Sequence, residues 1–326
     1  MRIAFAGGGY LGYQVLSALL DSEHEIVAYV EDGRKVRGVH RFLRPLLYTI
    51  AFWVPYPVGL AKRRGLPIVF IDKMTEDELA PLHKLDLDLL IIAGFGIIIK
   101  PPLIELPRIG CVNCHSSLLP KHRGANPFGA VILADEKETG VTYHIVDPGI
   151  DTGDILLQAA FSINPDDNAM NVHHRASDVA AANLPDLLEQ IERDGLVGTP
   201  QDDSQSSYDK KWTNEDLTID WSKPAEYLAR LVRAAFPYRL VRFQHKGQTI
   251  YVSRASADPT PVNAEPGTVI QPGRRARIAT GEGSLILEIA YKAKPIPWIW
   301  PSSSKSPASG ERLESVSYTH LRAHET

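Results

Sequence analysis

An alternation of short apolar runs with helix-patterned stretches through the N-terminal part of the chain constrains its fold more than any other feature. Arg2–Ala6 reads as a strand, Tyr10–Leu20 as an amphipathic helix and Glu25–Val30 as a second strand. Pro67–Phe70, Leu87–Ala93 and Ile109–Cys114 are further apolar runs of strand length. Helices are expected between them at Glu76–His83, Pro101–Glu105 and Pro127–Ala134. Strands separated by helices are free to run parallel, because the helix carries the chain back across the sheet. The pattern predicts an α/β fold built on a doubly wound, mostly parallel sheet, Rossmann-like in outline. Val141–Val146 and Ile155–Ile163 are expected as strands flanking an Asp-rich loop. One long helix should follow from about Asn168 to Arg193.

The rest of the chain is patterned differently. Gly198–Ser207 is rich in Ser, Gln and Asp and has no apolar period, which is the composition of a linker. A helix at Pro224–Ala235 precedes β-like runs at Val241–His245, Thr249–Ser253, Gly267–Ile270, Ala276–Ala279 and Leu285–Ile289. Short strands broken by Gly and Pro predict a small, OB-like β-barrel. The stretch from about Ser302 is polar and aperiodic, as a disordered tail or a non-native scar would be. The expected organisation is an α/β domain over residues 1–197, a linker over 198–207, a barrel over 208–300 and a tail over 301–326.

The 326 residues, 44% apolar and 23% charged, fit a soluble globular protein with a substantial core. A net charge of −4 hides a basic region between Ala225 and Thr280. There Arg230, Arg233, Arg239, Arg242, Lys246, Arg254, Arg274, Arg275 and Arg277 face only Glu226, Asp258 and Glu265, an excess of nine over three. Such a region suits an anionic partner or a solvated face. The two cysteines, Cys111 and Cys114, fall on opposite faces of a strand, so neither a shared metal nor an easy disulfide is expected. Reduced cysteines and a strand starting near Met1 imply a cytoplasmic protein without a signal peptide. The apolar segment Phe42–Leu60 is interrupted by Arg44, Pro45, Pro55 and Pro57 and is too short to cross a bilayer. A buried helix or an apolar cover over a cleft is expected there.

Two motifs carry chemistry. Gly7-Gly8-Gly9-Tyr10-Leu11-Gly12 satisfies G-x-G-x-x-G between a strand and a helix, with Glu31 ending the next strand. That is the setting of an NAD(P)-binding fingerprint. The same glycines also suit a tight turn with close helix packing, or an anion held at the helix N-terminus. The second motif is Asn113-Cys114-His115-Ser116-Ser117-Leu118-Leu119-Pro120-Lys121-His122-Arg123-Gly124, answered by Asp147-Pro148-Gly149-Ile150-Asp151-Thr152-Gly153-Asp154. Asn113 and His115 share a strand face, at the strand end where open α/β sheets place their sites. An amide donor beside an imidazole, with a carboxylate from a second loop, can stabilise an oxyanion and move a proton. His122, His144, His173 and His174 lack such partners in the sequence and are read as surface or structural.

These two loops resemble the folate-dependent formyltransferases, over roughly residues 1–300. The resemblance implies formyl transfer from 10-formyltetrahydrofolate to an amine, without a nicotinamide cofactor and without a metal. It makes Asn113, His115 and Asp151 catalytic. The donor is expected against Gly94, Phe95, Gly96, Ile97, Ile98, Asp147 and Gly149, and the acceptor against Gly9, Arg37, Ser117, Leu118, Leu119, Pro120 and Arg123. Tyr208-Asp209-Lys210-Lys211 and Ile219-Asp220-Trp221-Ser222 are similar to the barrel entry of members acting on methionyl-tRNA, so tRNA is the first expected acceptor. Gly33–Gly38 matches their basic loop only in part, and Phe236-Pro237-Tyr238-Arg239 departs from the usual turn. A nucleotide-linked amino sugar is therefore the alternative acceptor, and a silent binding module the reading from another class.

Overall fold

The computed structural model describes residues 1–35 and 56–291, together with Leu313. Ile3, Ala4, Phe5 and Ala6 are fully buried, as in a strand covered on both faces. They lie in β1 (Arg2–Gly7), which is followed by α1 (Gly9–Leu20) and β2 (Glu25–Asp32). Next come α2 (Pro57–Arg63), β3 (Ile68–Ile71), α3 (Glu76–His83), β4 (Leu89–Ala93), α4 (Pro101–Ile104) and β5 (Gly110–His115). The chain continues through β6 (Arg123–Gly124), α5 (Pro127–Leu133), β7 (Glu138–Ile145), β8 (Ile155–Ser162), α6 (Ala169–Asp194) and β9 (Tyr208–Asp209).

The seven-stranded sheet has the order β3-β2-β1-β4-β5-β7-β8. β1 to β5 pair in parallel, whereas β7 runs antiparallel to both β5 and β8. The expected, mostly parallel sheet thus carries an antiparallel edge, because the loop from β7 to β8 has no crossover helix. Strand order reverses between β1 and β4, which brings the loops at their carboxyl ends side by side: Gly8 N donates to Ala93 O at 3.1 Å. This is the switch point where α/β sheets bind ligands.

Two compact units emerge. The first comprises Met1–Pro127, Glu138–Ser162 and Val172–Asp209, the second Phe128–Lys137, Ile163–Asn171 and the described chain from Lys210 onward. In the first unit α6 buries Val172, Ala176, Ala180, Leu184, Leu187, Leu188 and Ile191, one stripe at helical spacing. Tyr143 on β7 ties that stripe to the sheet by donating to Ala180 O at 2.8 Å. Of the apolar segment Phe42–Leu60, residues 42–55 lie outside the described residues. Its end enters α2, where Val58, Leu60 and Ala61 are buried, as expected of a buried helix.

Gly198–Ser207, linker-like in composition, is knitted into the first unit. Thr199 and Ile155 exchange two backbone hydrogen bonds of 2.8 Å, and Gln201 reaches the Asp151 and Gly153 carbonyls. Hydrogen bonds order this segment where apolar packing does not, so hydrophobic periodicity carries no trace of it.

In the second unit, α7 (Ala225–Ala235) precedes β10 (Val241–His245), β11 (Gln248–Asp258), β12 (Val269–Gln271), β13 (Arg277–Ala279) and β14 (Ser284–Tyr291). These strands form one antiparallel sheet in the order β10-β11-β14-β13-β12, the strand content of the expected small barrel. Trp221, Phe243, Val269, Ile278 and Leu285 form its core with Leu228 and Val232 of α7. Leu313 is also buried there and donates its N–H to Gly267 O at 2.7 Å. That position of the tail is therefore packed, in contrast to the disorder its neighbours' composition suggests.

His173 on α6 gives the first unit an acid-sensitive point. Burial, reinforced by nearby His174, pushes its pKa down to about 4. The unfolded chain holds this proton up to roughly 6.5, so it binds more protons than the native state between those values. Stability from this group is therefore complete above about pH 6.5 and is lost as pH falls toward 4. Urea midpoints measured across that range should drop on acidification, and His173→Gln should flatten the drop. Identical slopes for the two proteins would refute the assignment.

Candidate active site

β5 ends with Asn113 and His115 on one face, and antiparallel pairing sets His144 of β7 directly opposite Asn113. The loop after β7 carries Asp151 into the same space. Asn113 Nδ2 lies 3.1 Å from His144 Nε2 and donates to Asp151 Oδ1 at 3.4 Å. His115 Nδ1 is 3.5 Å from Asp151 Oδ2, while Gly124 N donates to that oxygen at 2.8 Å. The three residues expected to be catalytic thus converge on one carboxylate.

Proton positions follow from the acceptors present. His144 Nδ1 sits 2.8 Å from Ile145 O, and a carbonyl only accepts, so Nδ1 carries the hydrogen. His144 Nε2 faces the Asn113 amide nitrogen, and Asp151 accepts from the same nitrogen, which turns the amide's hydrogens toward the carboxylate. His115 Nε2 faces the His122 carbonyl at 2.8 Å, so it is the protonated nitrogen and leaves Nδ1 facing Asp151. Burial lowers the His115 pKa, and the opposing influence of Asp151 does not overcome it. Burial pushes Asp151 upward, yet the His144 ring, the His115 charge and the Gly124 amide together hold it down at about 2. The resting site is therefore an ionised carboxylate beside a neutral imidazole.

Two backbone conformations support this arrangement. His122 (φ 59°) and Asp151 (φ 54°) are both left-handed, a conformation that costs roughly 1–2 kcal/mol in a residue with a Cβ. Asp and His are among the non-glycine residues that adopt it most readily. Asp147 steadies the Asp151 loop by accepting from Thr152 Oγ1 at 2.7 and 2.9 Å and from Gly149 N at 3.1 Å.

The residues expected to meet the acceptor fare unevenly. Ser117 and Leu119 are buried, and Ser117 Oγ donates to Lys121 O at 2.7 Å. Thr142 Oγ1 donates to Ser117 O and accepts from Leu119 N, pinning the turn from beneath. Leu118 and Pro120 are half-buried. Arg123 is buried, and its guanidinium donates to Gln201 Oε1 and Asp203 Oδ1, both at 2.7 Å. Ser117, Leu119 and Arg123 therefore hold the loop in shape and present no open surface, because neighbouring polar groups already occupy their donors. Gly9 is exposed at the start of α1. Arg37 lies outside the described residues.

On the donor side, Gly94, Gly96 and Gly149 are exposed, Asp147 is half-buried and Ile98 is 62% exposed. Phe95 and Ile97 pack instead against the core beneath the sheet. Gly94 (φ 65°) lies so close to the first βα turn that a Cβ there would stand 2.7 Å from Gly8 O. Gly94 and Gly96 leave backbone at the surface of this loop without a side chain over it, a setting in which the polar edge of a flat heterocycle can be met. The G-x-G-x-x-G turn has its own packing reason, since a Cβ on Gly7 would meet Ala93 O at 2.5 Å. Glu31 accepts from Tyr29 Oη at 2.9 Å and from Asp32 N. Cys111 and Cys114 are buried free thiols, both pushed up to about 12 by burial. Among the described residues no cluster of His, Cys, Asp and Glu is placed to hold a metal.

His144, read as structural from the sequence, is a member of the site. Its signal is faint: Thr142 and His144 are polar residues two apart on an apolar strand, hence on one face. Gln201 and Asp209 leave no such signal, because both lie in the linker-like stretch or just beyond it.

A donor amide, an imidazole and a carboxylate at the strand ends of an α/β sheet have the chemistry a group-transfer site needs to stabilise an oxyanion. Residues 1–188 match the family described as formyl transferase, and residues 211–297 match its C-terminal domain. The chain belongs to the formyl transferase family, and its chemistry is formyl transfer. It is 34% identical over 291 residues to the methionyl-tRNA formyltransferase of Parvibaculum lavamentivorans, covering 87% of this chain and 90% of that one. Identity to the protein of the same name from Methylococcus capsulatus is 35% over 298 residues, covering 90% and 93%. In fold it is similar to a Helicobacter canadensis N-formyltransferase solved with folinic acid and dTDP-3-aminofucose. There the TM-score is 0.67 at 20% identity, covering 89% of this chain and all of that one. It is also similar to HypX from Aquifex aeolicus, solved with tetrahydrofolic acid (TM-score 0.61, 19% identity, 90% of this chain). The chain spans 44% of HypX.

Proposed function

We propose that this protein transfers a formyl group from 10-formyltetrahydrofolate to the amino group of methionyl-tRNA. The observation that carries the chemistry is the convergence of Asn113, His115 and Asp151 within 3.5 Å contacts. The donor supplies a formyl carbon whose oxygen becomes anionic when an amine adds. Asn113 turns an amide hydrogen from Asp151 toward that oxygen. Asp151, the more exposed of the two acidic and basic groups at 14% against 7% for His115, meets the amine first. Held at about 2, it is too weak a base to keep the proton. His115 Nδ1 takes it, and the resulting imidazolium pairs with the ionised Asp151 and adds its charge to the stabilisation of the oxyanion. Collapse of the oxyanion then breaks the C–N10 bond while His115 returns the proton to N10, releasing tetrahydrofolate and the formylated amine. The glycine-containing Gly94–Ile98 loop, with Asp147 and Gly149, suits the donor's heterocycle.

The tRNA acceptor is supported by two relatives of that name at 34% and 35% identity. Support from the basic region is weaker than its composition suggests. Arg254 and Arg275 pair with Glu288, Arg277 with Asp258 and Arg230 with Asp135. Arg233 and Arg239 donate to carbonyl oxygens. Exposed pairs of this kind are weak enough to exchange for phosphates. A nucleotide-linked amino sugar is the second reading, favoured by the fold shared with the Helicobacter enzyme. A charged-tRNA acceptor would place the protein in the cytoplasm. No helix among the described residues is long and apolar enough to cross a membrane.

Tetrahydrofolate release with each acceptor tests the reading. Formylation of methionyl-tRNA should fall by more than about tenfold between ~50 and ~200 mM salt, as phosphate contacts are screened. Turnover of an amino-sugar nucleotide alone, with a shallow salt dependence, would transfer the assignment to the second reading. No release with either acceptor would overturn both.

A further inference from the structure

We infer that His122 and Asp209 form a positioning pair that fixes the tautomer of His115. His122 Nδ1 lies 2.7 Å from Asp209 Oδ2, and a carboxylate accepts, so His122 donates from Nδ1. The same residue presents its backbone carbonyl to His115 Nε2 at 2.8 Å. Its backbone is left-handed at φ 59° where the carbonyl meets His115. The restraint comes from the chain after the linker-like stretch. His122 N donates to Ser207 Oγ at 2.8 Å, Arg123 N to Ser207 O at 2.9 Å and Ala125 N to Asp209 O at 3.0 Å. β6 and β9 pair in parallel across this contact, Arg123 with Tyr208 and Gly124 with Asp209. Residues 207–209 thus strap the catalytic loop, and the Asp209–His122 bond fastens the strap at the residue that matters.

The consequence for chemistry is specific. With Nε2 committed to a carbonyl, a neutral His115 has one unshared pair, on Nδ1, aimed at Asp151. Loss of the carbonyl would let the ring adopt the other tautomer, with Nδ1–H donating to Asp151, and it could then take no proton from that side. His122 and Asp209 touch neither substrate in this account. They act through His115, and the inference rests on the proposed role of that residue.

Two measurements separate the inference from that role. The first is a long-range proton–nitrogen NMR spectrum of the His115 ring, with its signals assigned by their loss in His115→Asn. Wild type should show one neutral tautomer with Nε2 protonated, and Asp209→Ala should show a mixture or the Nδ1–H form. This readout needs no turnover, so it stands even if the formyl-transfer roles fail. The second is kinetic: Asp209→Ala should lower kcat about tenfold, the scale of losing an outer partner of an oriented histidine, with donor KM unchanged. Asp209→Asn keeps an acceptor for His122 and should recover most of that loss. If Asp209→Ala does not fold, His122→Phe carries the test: it keeps the backbone carbonyl, removes the Nδ1 donor and should give a mixture or the Nδ1–H form. An unchanged tautomer in Asp209→Ala or in His122→Phe would overturn the inference.

Discussion

Asn113→Ala should lower kcat by roughly 100-fold or more, because one donor aimed at an oxyanion is worth about 3–4 kcal/mol. The structure says which part of the loss is chemical. In the resting site the Asn113 amide donates to Asp151 and lies against His144, so the donor is held beside the reacting centre and has only to turn one hydrogen to the oxyanion. That nearby donor is what alanine removes. The expected signature is a fall in kcat and kcat/KM together with little change in donor KM, as for a contact made in the transition state. Single-turnover rates with saturating donor would check it. A loss below about tenfold would show that Asn113 is not the oxyanion donor.

Asp151→Asn should be costlier, on the order of a thousandfold, comparable to neutralising the carboxylate behind a catalytic histidine. Asp151 is the single group touched by Asn113, His115, His144 and Gly124. The substitution keeps an acceptor for Gly124 but removes the charge that an imidazolium at His115 would pair with. With Asp151 ionised down to about pH 2, the acidic limb of the wild-type pH–rate profile should belong to His115, below its ordinary 6.5. Activity should rise with pH through that limb as His115 becomes neutral. In Asp151→Asn the limb should move to lower pH, because the charge that most favours the imidazolium is gone and only the His122 carbonyl still supports it. A limb that does not move would break the link between the two residues.

Much of this architecture was legible in the residues. The apolar runs at Arg2–Ala6, Leu87–Ala93 and Ile109–Cys114 became the central parallel strands, since a strand buried on both faces has to be apolar throughout. The barrel runs were equally readable from Gly and Pro punctuation. Asn113, His115 and Asp151 stood out because their spacing joins two loops in a familiar order. His144 did not, because its meaning depends on the register that sets it opposite Asn113, and register is a long-range property. The antiparallel direction of β7 was equally invisible, and so was the use of Ser117 and Arg123 as loop supports. Hydrogen-bonded polar segments carry no hydrophobic period, so Gly198–Ser207 looked like a spacer while its groups bound the Asp151 loop.

That last feature bears on how the protein can be dissected. A fragment ending at residue 197 would contain Asn113, His115, His144 and Asp151 and would look complete by composition. It would lack Gln201, which caps the Asp151 and Gly153 carbonyls, and the Ser207–Asp209 segment that closes over His122. Any truncation that keeps these supports therefore extends at least through Asp209, and a cut there would part Phe128–Lys137 and Ile163–Asn171 from the rest of the second unit.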